Sequence, residues 1–411
     1  MSSASPPTPA NASELADRFG TPLYVFDGPA LAEAGRSFQA AWSDDDTVAF
    51  SMKCNPLMGV IARLHRAGCW AEVASGFEYR AARRAGVPGS EIIFNGPFKT
   101  ADEIRQALRE GAMLIVDGFE QVRLVADLAW AASGNASVGL RLTPPDRIGR
   151  DRFGLVPRQA KAAAKWLRDA GVNVAGIHIH LGAYQLGDLP PTGPPIHSVT
   201  VEYPVPVSRF QEAAAHADTI ADAIGGVEWL NLGGGWPAAG PNLDRYVAAV
   251  NHRLGPNRRR LILEPGRALV RDAGWLLTQV VARRGPGAAV VDAGITQVPC
   301  VQWKRSPVSA ANPRTGAARP TEIFGPLCLQ HDVLARGVEI GPVRPGDLLW
   351  IGQAGAYAIA QASPFIHLRP GAVLMDGAQA TLLRARETDD EALGVQAEPL
   401  LVGRSGVAVG R

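Results

Sequence analysis

Two short segments carry residue types suited to chemistry on a phosphorylated ligand. The apolar run Leu261-Ile262-Leu263 has the length of a buried parallel strand and is stopped abruptly at Glu264-Pro265-Gly266-Arg267. That puts a carboxylate, a residue of bare backbone and a guanidinium together at one strand end. Leu230-Asn231-Leu232 runs in the same way into Gly233-Gly234-Gly235. Three glycines expose backbone N–H groups with no Cβ to hold an anion off, which suits a phosphate. Alone, either segment reads as an ordinary turn between a strand and a helix; their weight comes from what the rest of the chain places beside them.

A lysine supplies the third part. Val48-Ala49-Phe50-Ser51-Met52 is a strand-like run whose end is Lys53, followed by Cys54-Asn55-Pro56. A partly desolvated lysine at that position is expected to have a lowered pKa and to form a Schiff base with an aldehyde. The plainer alternative is a lysine snorkelling from a strand end. His178 and His180 stand two apart and so point to one side of their strand. They could form a metal pair, but no third histidine or clustered carboxylate is evident, and none is expected since catalytic zinc normally takes three protein ligands. One can serve as a core histidine and the other can face a planar ring. Amine, anion cradle and carboxylate together point to pyridoxal 5′-phosphate (PLP), with Glu264 keeping the ring nitrogen protonated so that the ring withdraws electrons from Cα.

The elements that must position these residues follow a regular rhythm. Short apolar runs alternate eight times with helix-length stretches: Thr47–Lys53, Trp70–Ser75, Ile92–Gly96, Ala112–Gly118, Ser137–Pro144, Val174–Gly182, Trp229–Gly235 and Arg260–Gly266. The stretches between them, such as Met58–Ala67, Ala101–Glu110 and Ala160–Ala170, have helical spacing. Eight such units over roughly 220 residues predict an α/β fold, a (β/α)8 TIM barrel, rather than a doubly wound sheet. Active sites of these barrels lie at the C-terminal strand ends, and there the polar residues fall: Lys53, Glu72 and Ser75, Asn95, Arg141, the two histidines, the glycines, and Glu264 with Arg267.

After Arg267 the rhythm changes to strand-like runs between Gly/Pro turns: Trp275–Ala282, Ala288–Asp292, Thr321–Phe324, Asp347–Ile351 and Ala372–Met375. These predict a second, β-rich domain of the sandwich or barrel kind. Thr21–Phe26 is a further strand ahead of the barrel, able to pair with that domain. The expected organisation is a disordered tail over 1–12, a barrel over 28–270, and a β-rich domain made from 13–27 and 271–411. Gln185–Pro206, with six prolines, and Lys304–Pro320 read as loops.

Composition narrows the class of function. With 411 residues, 46% hydrophobic and 19% charged, the chain suits a barrel plus a second unit of a soluble globular protein. A net charge of +2 and the lack of a basic stripe give no reason to expect nucleic acid. No apolar run approaches membrane-spanning length, and Met1 to Ala10, rich in Ser and Pro, reads as a tail rather than a signal peptide. Cys54, Cys69, Cys300 and Cys328 lie far apart, which points to a reduced cytoplasm.

Six motifs in order resemble the fold-type III PLP-dependent decarboxylases, the group of the diaminopimelate, ornithine and arginine decarboxylases. They stand as Phe50-Ser51-Met52-Lys53-Cys54-Asn55-Pro56, His178-Ile179-His180-Leu181-Gly182, Leu232-Gly233-Gly234-Gly235, Glu264-Pro265-Gly266-Arg267, Gly325-Pro326-Leu327-Cys328 and Gly355-Ala356-Tyr357. The resemblance implies α-decarboxylation of an amino acid. It implies that Lys53 carries PLP, His180 stacks on the ring and Glu264 binds its nitrogen. Gly234, Gly235, Gly266 and Tyr357 would hold the phosphate, with Ser75 also at the cofactor and Arg267 near the phosphate or the substrate carboxylate. Cys328 would enter from the second subunit of a homodimer and protonate Cα.

Three departures bear on the substrate. Ala183 stands where the family often has Ser, and Glu72 where ornithine decarboxylases tend to have Asp. Leu329 follows Cys328 where lysine- and diaminopimelate-type relatives place an acid for the distal amine, a change at a substrate-binding position. Asn95-Gly96-Pro97-Phe98-Lys99-Thr100 is more similar to the branch acting on carrier-tethered or secondary-metabolic substrates. Diaminopimelate decarboxylase proper is one alternative. An alanine-racemase-like activity is another, opposed by Glu264 because the racemase pattern has Arg at the ring nitrogen. A PLP-homeostasis protein is a third, opposed by the β-rich segment.

Overall fold

The computed structural model describes residues 9–132, 137–149, 151–182, 205–302 and 304–395. Eight parallel strands close into a barrel in chain order: β2 (Thr47–Ser51), β3 (Trp70–Val73), β4 (Ile92–Phe94), β5 (Met113–Val116), β6 (Ser137–Leu142), β7 (Asn173–Ile179), β8 (Trp229–Asn231) and β9 (Arg260–Leu263), where β9 returns to pair with β2. β1 (Leu23–Asp27) lies outside it. Every predicted barrel strand is present, and each stops short of the glycine, proline or polar residue that ended the predicted run.

Helices cover the barrel because their apolar residues repeat at the helical period. The helix Pro157–Asp169 buries Ala160, Ala163, Ala164 and Leu167, one stripe of spacing three and four. The helix Ala101–Arg109 begins at Thr100, whose hydroxyl accepts the Glu103 N–H while the Glu103 carboxylate accepts the Thr100 N–H.

Inside the barrel the strand period of two builds layers. Ala49, Ile93, Ile115, Ala175, Trp229 and Ile262 form a buried apolar cluster drawn from barrel strands alone, with Trp70 and Met113 packed on it. Gly139 and Gly176 make room for the Trp229 indole, since a Cβ on either would lie within 2.4 Å of that ring. Two residues beyond the floor position of each strand, which is Trp70 in β3, Gly139 in β6 and Gly176 in β7, comes a polar one: Ser51, Glu72, Asn95, Asp117, Arg141, His178, Asn231 and Glu264. Seven of these are buried and Arg141 nearly so. The apolar layer is the floor, and the polar ring is the mouth.

The second unit is a mixed sheet. Its strands are β1, β10 (Gly274–Arg283), β11 (Ala288–Val291), β12 (Val308–Ala310), β13 (Arg319–Phe324), β14 (Val333–Ile340), β15 (Leu348–Ile351), β16 (Gly371–Asp376) and β17 (Gln379–Arg384). They run in the order β14-β13-β11-β10-β1-β16-β17, with β15 pairing β10 and β12. β1, predicted from Thr21–Phe26, is antiparallel to β10 and parallel to β16, so it occupies the middle of the sheet.

Three predictions need correction. Residues 9–12, placed in a disordered tail, begin the helix Pro9–Phe19, whose Ala12, Leu15, Ala16 and Phe19 pack on Leu23, Val25, Trp275 and Leu277. Their helical spacing supplies the apolar face that holds this segment down; residues 1–8 lie outside the described structure. The predicted loop Lys304–Pro320 contains β12 and the start of β13. β14 and β17 are absent from the predicted strands: both are terminal strands of the sheet path, β17 has no buried residue, and Arg336-Gly337 interrupts the apolar pattern of β14. Ala183 and most of Gln185–Pro206 lie outside the described residues.

Candidate active site

The polar ring is a connected network. Ser51 donates its hydroxyl hydrogen to Glu72 Oε2, and Asn95 Nδ2 donates to Glu72 Oε1 at 2.9 Å. The same nitrogen donates to Glu264 Oε1 at 2.8 Å, and Asn231 Nδ2 reaches that oxygen at 2.7 Å. His178 Nε2 stands 3.5 Å from Glu264 Oε2. Burial pushes the Glu264 carboxyl up, but His178, Lys53 and the Asn231 amide outweigh it and hold the group ionised, below the usual range. On the far side Arg141 pairs with Asp117 at 3.0 Å, and Asp117 also accepts the Gly154 N–H at 2.6 Å.

Lys53 rises from this ring. β2 ends at Ser51, and Lys53 occupies a single 3-10 turn, Met52–Cys54, closed by Cys54 Sγ on the Ser51 carbonyl at 3.0 Å. Its Nζ lies 3.6 Å from Glu72 Oε2, with 45% of the side chain exposed. The expectation of a lowered pKa is overturned. Burial works against the ammonium, yet Glu72, then Tyr357 and Glu264, more than offset it and hold the amine above the ordinary lysine value. The sequence showed the desolvation and could not show the two carboxylates and the phenol gathered around the amine.

His180 is neutral. Burial, then the charges of Lys53 and Arg141, keep its pKa well below the usual imidazole value. The Gly234 N–H donates to Nδ1 at 3.1 Å, which places the ring proton on Nε2. The rings of His178 and His180 are near-parallel, 18° apart with centroids 6.5 Å apart. Glu264 joins them: the three residues bring one ligand atom each within 4.8 Å of one another, the clustered carboxylate that spacing alone did not reveal.

The glycine segments make a cradle. A Cβ on Gly234 would lie 2.8 Å from the Glu264 carbonyl oxygen, and one on Gly266 would lie 3.0 Å from Cys54 Sγ. Gly235 has φ +102°, a backbone conformation that side chains resist. Among the described residues the N–H groups of Gly235 and Gly266 carry no hydrogen bond. Tyr357 also has a positive φ, 59°, and its N–H donates to the Cys54 carbonyl at 2.8 Å.

The remaining predicted residues fall into two groups. Ser75 caps the helix Gly76–Arg84 by accepting the Glu78 N–H at 3.2 Å, and Arg267 lines a cleft of about 480 Å3 with Trp236 and Arg271. Cys328 and Leu329 are held elsewhere, on the turn between β13 and β14. Asp332 fastens that turn by accepting the Leu327 N–H at 2.7 Å and the Ile295 N–H at 2.8 Å. Cys328 is exposed, and among the described residues none of its own chain's hydrogen bonds ties it to the barrel mouth. Leu329 is half-buried and packs on the main core.

The sequence reading did not single out Ser51, Asp117 or Asn231 for the site. The signal was available: each is the polar residue two places beyond an apolar one in its barrel strand.

Comparison with known proteins agrees with this geometry. The family described as pyridoxal-dependent decarboxylase, pyridoxal binding domain, matches residues 30–190. The diaminopimelate decarboxylase of Deinococcus radiodurans is 33% identical over 393 residues, covering 92% of this chain and 96% of that protein. The chain belongs to the PLP-dependent decarboxylases. The diaminopimelate decarboxylase of Neisseria meningitidis serogroup A is 30% identical, over 91% of this chain and 94% of its own. A crystal structure of the M. jannaschii diaminopimelate decarboxylase superimposes with a TM-score of 0.81 at 26% identity, covering 94% of each chain. As a member of this family the protein is a PLP-dependent amino-acid carboxy-lyase.

The barrel mouth of this decarboxylase suits that cofactor. The Lys53 amine stands 3.6 Å from the buried Glu72 carboxylate, Glu264 is held ionised, the neutral His180 ring accepts from the glycine cradle, and among the described residues two cradle N–H groups are unengaged. Among the described residues, both ring nitrogens of His178 and Asn95 Oδ1 are buried without a hydrogen-bond partner. Among the described residues no helix is long and apolar enough to cross a membrane.

Proposed function

We propose that this decarboxylase removes the α-carboxyl group of an amino acid whose distal end is neutral, acidic or tethered, rather than a free ammonium. The observation that carries it is Leu329. A buried ammonium needs a paired acceptor. Leu329 packs its side chain on the core, and the Asp332 carboxylate is already engaged by the Ile295 and Leu327 N–H groups. Neither offers a carboxylate to a distal amine next to Cys328.

Within the site, Lys53 would attach the cofactor, and Glu72, 3.6 Å from its amine, would pair with the lysine when it carries a proton. Glu264, kept ionised, holds a proton at the ring nitrogen. His180 would stack on the ring, and as a neutral group would add no competing charge. Gly234, Gly235, Gly266 and Tyr357 hold the phosphate, with Ser75 and Arg267 at its margin and Arg267 also within reach of the substrate carboxylate. PLP, when bound, supplies the electron sink that makes loss of CO2 from Cα feasible. Cys328, from a second copy of the chain, returns a proton to Cα in a homodimer with shared sites. Four free cysteines, three of them buried, fit a reduced cytoplasm.

A second reading, decarboxylation of diaminopimelate itself, is favoured by the names of the Deinococcus and Neisseria relatives. Steady-state CO2 release across diaminopimelate, lysine, ornithine and a series of neutral, acidic and carrier-bound amino acids separates the two. We expect a kcat/KM for diaminopimelate below that of the best uncharged or tethered substrate, and a gain in diamino-acid activity in Leu329→Glu. A diaminopimelate kcat/KM above every other member would establish the second reading.

A further inference from the structure

We propose that Asn95 is a positioning residue that ties the two buried acids of the barrel mouth together and keeps both of them ionised. Its Nδ2 donates one hydrogen to Glu72 Oε1 at 2.9 Å and the other to Glu264 Oε1 at 2.8 Å. β4, which ends just before Asn95, neighbours β3 and β5, whereas β9 neighbours β8 and β2. The bond to Glu264 therefore crosses the mouth instead of running along its rim.

Sharing one nitrogen brings two carboxylates within a few ångströms of each other, both 2% exposed or less. Like charges that close, out of water, favour protonating one of them. A primary amide opposes this because it offers each acid a hydrogen and does not itself ionise. Turned over, the amide would set Oδ1 against two carboxylate oxygens, so its orientation is fixed by its acceptors. The consequence is visible: Oδ1 is buried with no partner, a cost the double donation must exceed.

Asn95 thereby divides the work of the two acids. Glu72 keeps Oε2 for Ser51 and Lys53, and Glu264 keeps its second oxygen toward His178. With both ionised, Lys53 and the ring nitrogen each have a carboxylate of their own. The effect on the cofactor rests on the roles proposed above for Lys53 and Glu264; the ionisation of the two acids does not.

The test uses the full-length enzyme and two readouts other than turnover. Infrared spectroscopy of Asn95→Leu at neutral pH should show the carbonyl band of a protonated carboxylic acid that the wild type lacks. That band should vanish when Glu72→Gln or Glu264→Gln is added, according to which acid took the proton. Cofactor retention, followed by dialysis and visible absorbance, should weaken at least tenfold where Glu72 takes the proton and change little where Glu264 does. Asn95→Ser, with a single donor, should fall between. If Asn95→Leu does not fold, Asn95→Ser carries the test, with a weaker band of the same kind expected. A variant whose difference spectrum against wild type lacks the band overturns the proposal. The band with unchanged cofactor retention upholds it where Glu264 takes the proton, and counts against the role given to Lys53 where Glu72 does.

Discussion

Asn55 and Gly355, 300 positions apart, meet at the base of the site: Asn55 Nδ2 donates to the Gly355 carbonyl at 2.9 Å. The turn that carries Lys53 is thus fastened to the turn that carries Tyr357, and the Tyr357 N–H to Cys54 bond runs beside it. Gly355 sits where a Cβ would lie 1.7 Å from the Val270 carbonyl oxygen, so the two units approach backbone to backbone. Asn55→Leu should leave a buried carbonyl unpaired and lower stability by about 1–3 kcal/mol. Denaturant unfolding of both proteins checks this. An unchanged midpoint would show that the bond holds nothing.

The Glu264 carboxylate should matter to turnover far more than to cofactor binding. Glu264→Gln keeps the shape and an acceptor but removes the charge. We expect kcat/KM to fall by an amount equivalent to about 2–4 kcal/mol, with cofactor retention changed little. Wild-type turnover would mean that Glu264 does not serve the ring nitrogen.

Lys99 supplies a pH prediction. Its ammonium is buried, donating to the carbonyls of Gly96 and Ile115 at 2.7 and 2.8 Å and to Gln121 Oε1 at 3.2 Å. Burial dominates and pushes its pKa down to about 7, against the pull of Asp117. The unfolded chain therefore holds a proton that the folded one releases between about pH 7 and pH 10.4. Stability from this group rises with pH across that window and is lost as pH falls to 7. The stability difference between wild type and Lys99→Met should shift in favour of wild type from pH 7 to pH 9. A difference that is flat with pH would show that Lys99 stays charged throughout.

Assembly can be read from mixtures. If Cys328 serves the site of a second copy, Lys53→Ala and Cys328→Ala are each inactive alone. Subunit exchange between them should create dimers with one intact site and recover up to about a quarter of wild-type activity, on the expectation of random pairing into closed twofold dimers. No recovery after proven exchange would place Cys328 in the site of its own chain.

The barrel and much of its site were legible because the relevant signals are local. A strand of three or four mostly apolar residues running into Glu-Pro-Gly-Arg or Gly-Gly-Gly declares its length, its stop and its bare backbone within one stretch. Period-two spacing in the same strands places Glu72, Asn95, His178 and Glu264 one step above an apolar floor. Pairings remained hidden. Nothing near Asn95 in sequence indicates that its amide spans Glu72 and Glu264, because barrel closure alone brings β4 and β9 face to face. The charge state of Lys53 turned the same way: the chain shows a lysine leaving a buried strand, and only folding sets Glu72, Tyr357 and Glu264 around it. Strands β14 and β17 were missed for a related reason, since a terminal strand exposed to water needs little apolar pattern and is defined by its partner's hydrogen bonds. Sequence therefore determined which residues stand at the mouth of the barrel. Tertiary structure decided which of them share protons, because hydrogen bonds and Coulomb interactions depend on distances of a few ångströms between groups far apart in the chain.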